Sequence, residues 1–194
     1  MSTPLIVVGV VVLFVFFMVL GAINKRKRDD AWRQLANELG ANFIQGGFMR
    51  SSAVQMPFKE WTITLDVYSV SSGDSNTSYT RLKTLLKDMQ GFQFFLFRKS
   101  VITKIDKALG AKDIAFADPE FDRAFVIRGS DPARVQALFS SQRICQLFLT
   151  ERASLTGSLR KNLLSLEILG EVKDVERLKT FFAMFQETLL QLQK

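Results

Sequence analysis

Trp61-Thr62-Ile63-Thr64-Leu65-Asp66-Val67 places an apolar side chain at every second position, with Trp61, Ile63, Leu65 and Val67 on one side. Period two over such a run marks a strand with one face buried. The polar stretch that follows, Ser71-Ser72-Gly73-Asp74-Ser75-Asn76-Thr77-Ser78, reads as a loop. Beyond it, Tyr79 to Gln90 fits two periods. Leu82, Leu85, Leu86 and Met89 follow a helix, while Thr80, Leu82, Thr84 and Leu86 follow a strand. A strand over the first half is preferred, because the polar loop then closes a hairpin.

Outward from this hairpin the chain alternates strands and helices. Phe92 to Arg98 is aromatic on both faces and suits a central strand with helix over one side. Val101 to Leu109 reads as a short helix stopped by Gly110, Ile114 to Ala117 as a short strand, Asp118-Pro119 as a turn and Phe121 to Arg128 as a further strand. Asp131 is an N-cap with Pro132 at the first helical position. That helix turns Val135, Leu138 and Phe139 inward, and a second over Ser141 to Leu149 does the same with Ile144, Leu147 and Phe148. Leu163 to Leu169 is the last strand. From Val172 to Gln193, Val175, Leu178, Phe182, Phe185, Leu189 and Leu192 recur at spacings of three and four. A coiled-coil seam needs more heptads. Phe181, Met184 and Leu190 also widen the stripe, so a helix packed across a sheet is the better reading. The expected fold class is α+β: a mostly antiparallel sheet packed by helices, with a long C-terminal helix.

The N-terminal side is different in kind. Leu5 to Ile23 carries no charge, and Lys25-Arg26-Lys27-Arg28 follows. About 20 apolar residues span a bilayer as a helix. A cleaved signal peptide would carry its cations before the apolar run, not after it. The expectation is a single transmembrane helix over residues 1–24, with the N-terminus outside and the basic side in the cytoplasm. Residues 25–40 then form a basic juxtamembrane segment and a short amphipathic helix through Trp32, Leu35, Ala36 and Leu39, and residues 41–194 a cytoplasmic domain. Lys25, Arg26, Lys27, Arg28 and Trp32 are the lipid-contact candidates. For the four cations, setting topology is the simpler role. For Trp32, packing on the following domain suits the short apolar face and the bulk of the indole.

Composition narrows the chemistry. The net charge is +7, and Lys25 to Arg28 supply four of those charges, so the remainder is only mildly basic. No basic-aromatic stripe for nucleic acid is present. There is no histidine and one cysteine, which removes Ser-His and Cys-His pairs, imidazole metal ligands and an intramolecular disulfide. Asp118, Glu120 and Asp122 alternate and could share a cation or divide acid and base roles. An EF-hand would need glycine and glutamate where Arg123 and Gly129 stand. Cys145 lies on an inward helix face and reads as structural. Asn76-Thr77-Ser78 matches the glycosylation pattern, which carries no weight for a cytoplasmic loop. No catalytic residue, cofactor or metal site is assigned.

Asp118-Pro119-Glu120-Phe121-Asp122-Arg123-Ala124-Phe125-Val126-Ile127, followed by Asp131, resembles an uncharacterised bacterial family of membrane-anchored domains of unknown function. The likeness covers roughly residues 110–170: an acidic turn, a strand with a second Phe, an Asp opening a helix, then a short helix and strand. It implies an inner-membrane setting and no activity. The leading functional expectation is a membrane-tethered, non-enzymatic interaction or assembly module. Its partners are the membrane and a protein there, with no nucleic acid and no indication of a homo-oligomer. The alternative is an anionic-lipid or apolar-ligand binding domain. A third, weaker reading is an acid- or metal-dependent enzyme.

Overall fold

The structure, a computed structural model, describes residues 3–47, 50–73, 75–99, 113–151 and 154–193. Along the chain run α1 (Thr3–Leu39), β1 (Asn42–Ile44), β2 (Ala53–Phe58), β3 (Trp61–Ser72), β4 (Ser75–Leu85), β5 (Phe94–Arg98), α2 (Pro119–Ala124), β6 (Phe125–Gly129), α3 (Pro132–Leu138), α4 (Gln142–Thr150), β7 (Leu155–Arg160), β8 (Leu163–Leu169) and α5 (Val175–Leu192). The strands form one sheet in the order β1-β2-β3-β4-β8-β7-β5-β6. Every neighbouring pair is antiparallel. The class is α+β, as the periodicities imply.

Alternation decides which sheet face is covered. Ile63, Leu65, Val67, Leu82, Leu164, Leu166 and Ile168 are buried in one core with Trp32, Leu35 and Ala36 of α1 and Leu178, Phe181, Phe182 and Phe185 of α5. Burying such a side chain contributes ~1.5–3 kcal/mol, and α5 supplies several. Lys179 also pairs with Glu38, tying α5 to α1. A second part of the core is aromatic. Phe121 packs on Phe116, Phe125, Phe139 and Phe148, with ring centroids 5.1 to 6.3 Å apart.

The opposite sheet face carries an ionic cluster. Asp66 faces Arg81 across β3 and β4 and accepts two hydrogen bonds from its guanidinium, both 2.9 Å, with Lys83 at 2.6 Å. Burial alone would raise the Asp66 carboxyl, but these bonds outweigh it and hold the group below its ordinary value. Asp66 therefore stabilises the fold at neutral pH and ceases to do so as acid protonates it. The stability gap between wild type and Asp66→Asn should be full at neutral pH and close below about pH 4, near the unfolded aspartate value. Thermal unfolding of both forms across that range checks this; a gap independent of pH contradicts it.

The structure revises several local expectations. The polar stretch at 71–78 is mostly strand: β3 and β4 pair out to Ser72↔Ser75, so the hairpin closes tightly. Gly73, at φ 58°, supplies the left-handed backbone there. The preferred strand over the first half of 79–90 is present in β4. Phe92 to Arg98 is not central: β5 lies next to the edge, between β7 and β6. Residues 114–117 form no strand and lean on β6 through the Ile114 amide, which donates to Ile127 at 3.0 Å. Asp118 does not open a strand. Its carboxylate caps α2, accepting from the amides of Glu120 and Phe121 with Pro119 at the first turn, the arrangement that Asp131 and Pro132 repeat at α3. The helix expected over Val101 to Leu109 lies outside the described residues. Strands β1, β2 and β7 were not anticipated.

The membrane span is corrected. Among the described residues, no helix is long and apolar enough to cross a membrane. Helix α1 does not end with the apolar run. It continues unbroken through Lys25 to Arg28 to Leu39. The single-pass anchor over residues 1–24, the outside N-terminus and the cytoplasmic placement of residues 41–194 therefore have no spanning helix among the described residues to rest on. From Arg28 onward α1 belongs to the domain: Trp32 is fully buried, and its indole N–H donates to the Val172 carbonyl at 3.1 Å.

Candidate functional site

The helix stripe that enters the core begins outside it. Trp32, Leu35 and Ala36 continue toward the N-terminus as Arg28, Lys25, Asn24 and Gly21, at spacings of three and four. These last four form one wall of a cleft of about 730 Å³. Gly47, Arg50 and Ser51 of the β1–β2 loop and Glu171 and Lys173 of the β8–α5 loop form the others.

Each wall is held by identifiable bonds. The Gly46 amide donates to the buried Ser52 hydroxyl at 3.0 Å, and a Cβ at Gly46 would run into the backbone of Arg50 and Ser52. The loop therefore needs glycine there. Thr80 pins the second loop: its hydroxyl donates to the Gly170 carbonyl at 2.8 Å and accepts from the Val172 amide at 2.9 Å. The helix wall is fixed by Arg28, only 4% exposed. Its guanidinium donates to Asp29 at 3.1 and 3.3 Å and to Glu171 at 3.2 Å, and lies 5.5 Å from the Trp32 ring centre. Asp29 also accepts from Gln45 at 3.2 Å.

Charge in the cleft is unbalanced. Lys25, Arg28, Arg50 and Lys173 face one carboxylate, Glu171, which Arg28 engages. The Lys25 ammonium donates to the Gly47 carbonyl at 3.3 Å, and that of Lys173 to the Asn24 side-chain carbonyl at 3.0 Å. These acceptors are neutral, so the bonds orient both ammonium groups without offsetting their charge.

The sequence candidates divide accordingly. Lys25 and Arg28 line the cleft, Arg26 and Lys27 are exposed elsewhere on α1, and Trp32 is buried. Arg50, Lys173, Asn24 and Gly47 were missed, since they come from three separated segments and none sits in a motif. The acidic trio does not converge. Asp118 caps α2, Asp122 accepts from the Phe116 amide at 3.2 Å, and Glu120 is exposed. No group of three potential metal ligands occurs among the described residues. Burial pushes the Cys145 thiol up to about 11, with Asp118 adding to the shift, the opposite of what a nucleophilic thiolate needs.

Comparison with known proteins gives little beyond this geometry. No family model matches the chain, and no curated protein matches it. Among solved structures it is similar to the crystal structure of the mycobacterial trehalose monomycolate transport factor A, TtfA. The identity is 10% and the TM-score 0.48, covering 87% of this chain and 90% of that one. A likeness at that level passes nothing of that protein's role to this chain.

Proposed function

We propose that this protein is a non-enzymatic interaction module that works at a membrane surface, held there by the apolar segment of α1. What supports the reading is one feature: Val12, Leu13, Val15, Met18 and Val19 are each more than half exposed, Leu20 and Ile23 are exposed after them, and the cations Lys25, Arg26 and Lys27 come next. Apolar surface of this extent marks an interaction site. Cations directly beside it favour a lipid interface over a protein groove. The reading asks for residence in the interface, not for a span. Confinement there raises the domain's effective concentration for partners at the same surface. Of the side chains that the sequence offers for catalysis, Asp118 caps α2, Asp122 holds the Phe116 amide and Cys145 is a protonated core thiol, which favours binding over chemistry.

Flotation of the full chain with phosphatidylcholine vesicles tests this. Wild type should float with lipid. Leu13→Asp with Val19→Asp should lower partitioning on the order of 100-fold, from two apolar side chains at ~1.5 kcal/mol each, with thermal unfolding unchanged. Equal flotation of both forms overturns the reading.

A further inference from the structure

We propose that the cleft between α1, the β1–β2 loop and the β8–α5 loop binds the phosphate of an anionic lipid headgroup. This rests on the membrane-surface reading, to which it adds a ligand and a site.

Three observations carry it. The first is uncompensated charge held in position. Lys25 and Lys173 are each oriented by a bond to a neutral carbonyl oxygen. Each ammonium has three N–H donors, so others remain for a ligand. Arg50 is exposed on the loop wall. Arg28 is already committed to Asp29 and Glu171 and serves as the fixed base of the wall. Three cations from three segments suit a phosphate, whose several oxygens take charge-assisted bonds from different directions. Pre-positioned donors also lose less freedom on binding.

The second is the cleft's place beside the apolar segment. Met18 is exposed on α1 two turns before Lys25 and on the same face of the helix. Acyl chains lying along this part of α1 bring the attached phosphate to the cleft mouth. The mouth is open at Gly21 and Gly47, where a Cβ would meet nothing within 4 Å.

The third is topological. The β2 start pairs with β3 at Val54↔Leu65, and β4 pairs with β8 at Thr80↔Ile168. The β1–β2 loop, the β3–β4 hairpin turn and the β8–α5 loop therefore share one end of the sheet. Helix α1 leaves the domain at that end, since Lys25 bonds Gly47 and Asn24 bonds Lys173. The apolar segment and the cationic cleft thus face one surface together.

The test uses the full chain, vesicles of phosphatidylcholine alone or mixed with phosphatidylglycerol, and soluble glycerol phosphate. Wild type should prefer the phosphatidylglycerol mixture, with a preference that salt weakens. Lys25→Gln, Arg50→Gln and Lys173→Gln should each lower binding about 5-fold, and the triple variant should lose most of the preference, keeping what Arg26 and Lys27 contribute. Glycerol phosphate should shift the amide resonances of Gly47 and Ser51 in wild type and in Arg26→Gln/Lys27→Gln, but not in the triple variant. No preference for phosphatidylglycerol overturns the proposal. So does a loss per charge as large in Arg26→Gln/Lys27→Gln, with no shift from glycerol phosphate. Binding to phosphatidylcholine that still depends on Leu13 and Val19 would then leave the membrane reading standing alone. Shifts from glycerol phosphate without binding to any vesicle would overturn both, and reassign the cleft to a soluble phosphate ester.

Discussion

Phe182→Asp should unfold the domain. Phe182 is 1% exposed on α5, within the core shared by α1, α5 and the sheet. Losing the ring costs ~3–5 kcal/mol by cavity formation. A carboxylate in the same place must be desolvated without a partner or take up a proton, which costs several kcal/mol more. The whole stability of a domain is about 5–15 kcal/mol, so this one substitution removes most or all of it. Far-ultraviolet circular dichroism and amide dispersion at room temperature should report an unfolded or molten chain. Phe182→Leu, which keeps the site apolar, should stay folded with a lower melting temperature. A Phe182→Asp protein that melts within a few degrees of wild type would contradict the packing of α5 on the sheet.

Arg28→Ala should be the most damaging change on α1 outside the apolar core. Both members of the Arg28–Asp29 pair are 5% exposed at the side chain. Removing the guanidinium leaves a buried carboxylate with Gln45 as its remaining side-chain hydrogen-bond donor. Breaking a buried pair in this way costs ~3–5 kcal/mol. Removing both charges as Arg28→Met with Asp29→Leu should recover most of that loss, because the penalty lies in the orphaned charge and not in a missing attraction. Urea denaturation of the two variants separates these cases. If Arg28→Ala unfolds with wild-type stability, the α1 stripe is not docked as described, and the cleft wall goes with it.

The legibility of the chain followed the range of the physics involved. Alternation at 61–67, the Asp131-Pro132 cap and the three-four spacing of α5 are local signals, and each marks an element that is present. Asp118-Pro119 carries the same cap signature as Asp131-Pro132. It was read as a turn because the aromatic alternation from Phe121 onward imitates a strand, whereas the cap bonds favour a helical turn first. Strands β1 and β7 are short or interrupted by glycine, and their strand character comes from the neighbours they pair with. The apolar N-terminal run was legible as apolar, and the packing of the Trp32 stretch on the domain was legible from the bulk of the indole. Trp32, Leu35 and Ala36 belong to the same stripe as Lys25 and Arg28, and only the docked helix makes that continuity visible. Half of the candidate site was therefore readable as a basic run. Arg50 and Lys173 were not, since they reach the cleft through sheet topology.

The most direct test of membrane residence through α1 is an environment-sensitive fluorophore on an engineered thiol. Cys145 is buried and its thiol is held protonated, so it competes little for the label. One form carries the label at Leu20→Cys, on the exposed apolar segment of α1. The other carries it at Leu85→Cys, exposed at the opposite end of β4 from the hairpin turn. On addition of vesicles, the expected result is a blue shift and brighter emission at position 20, with no change at position 85. An unchanged spectrum at position 20, or equal changes at both positions, would contradict the account.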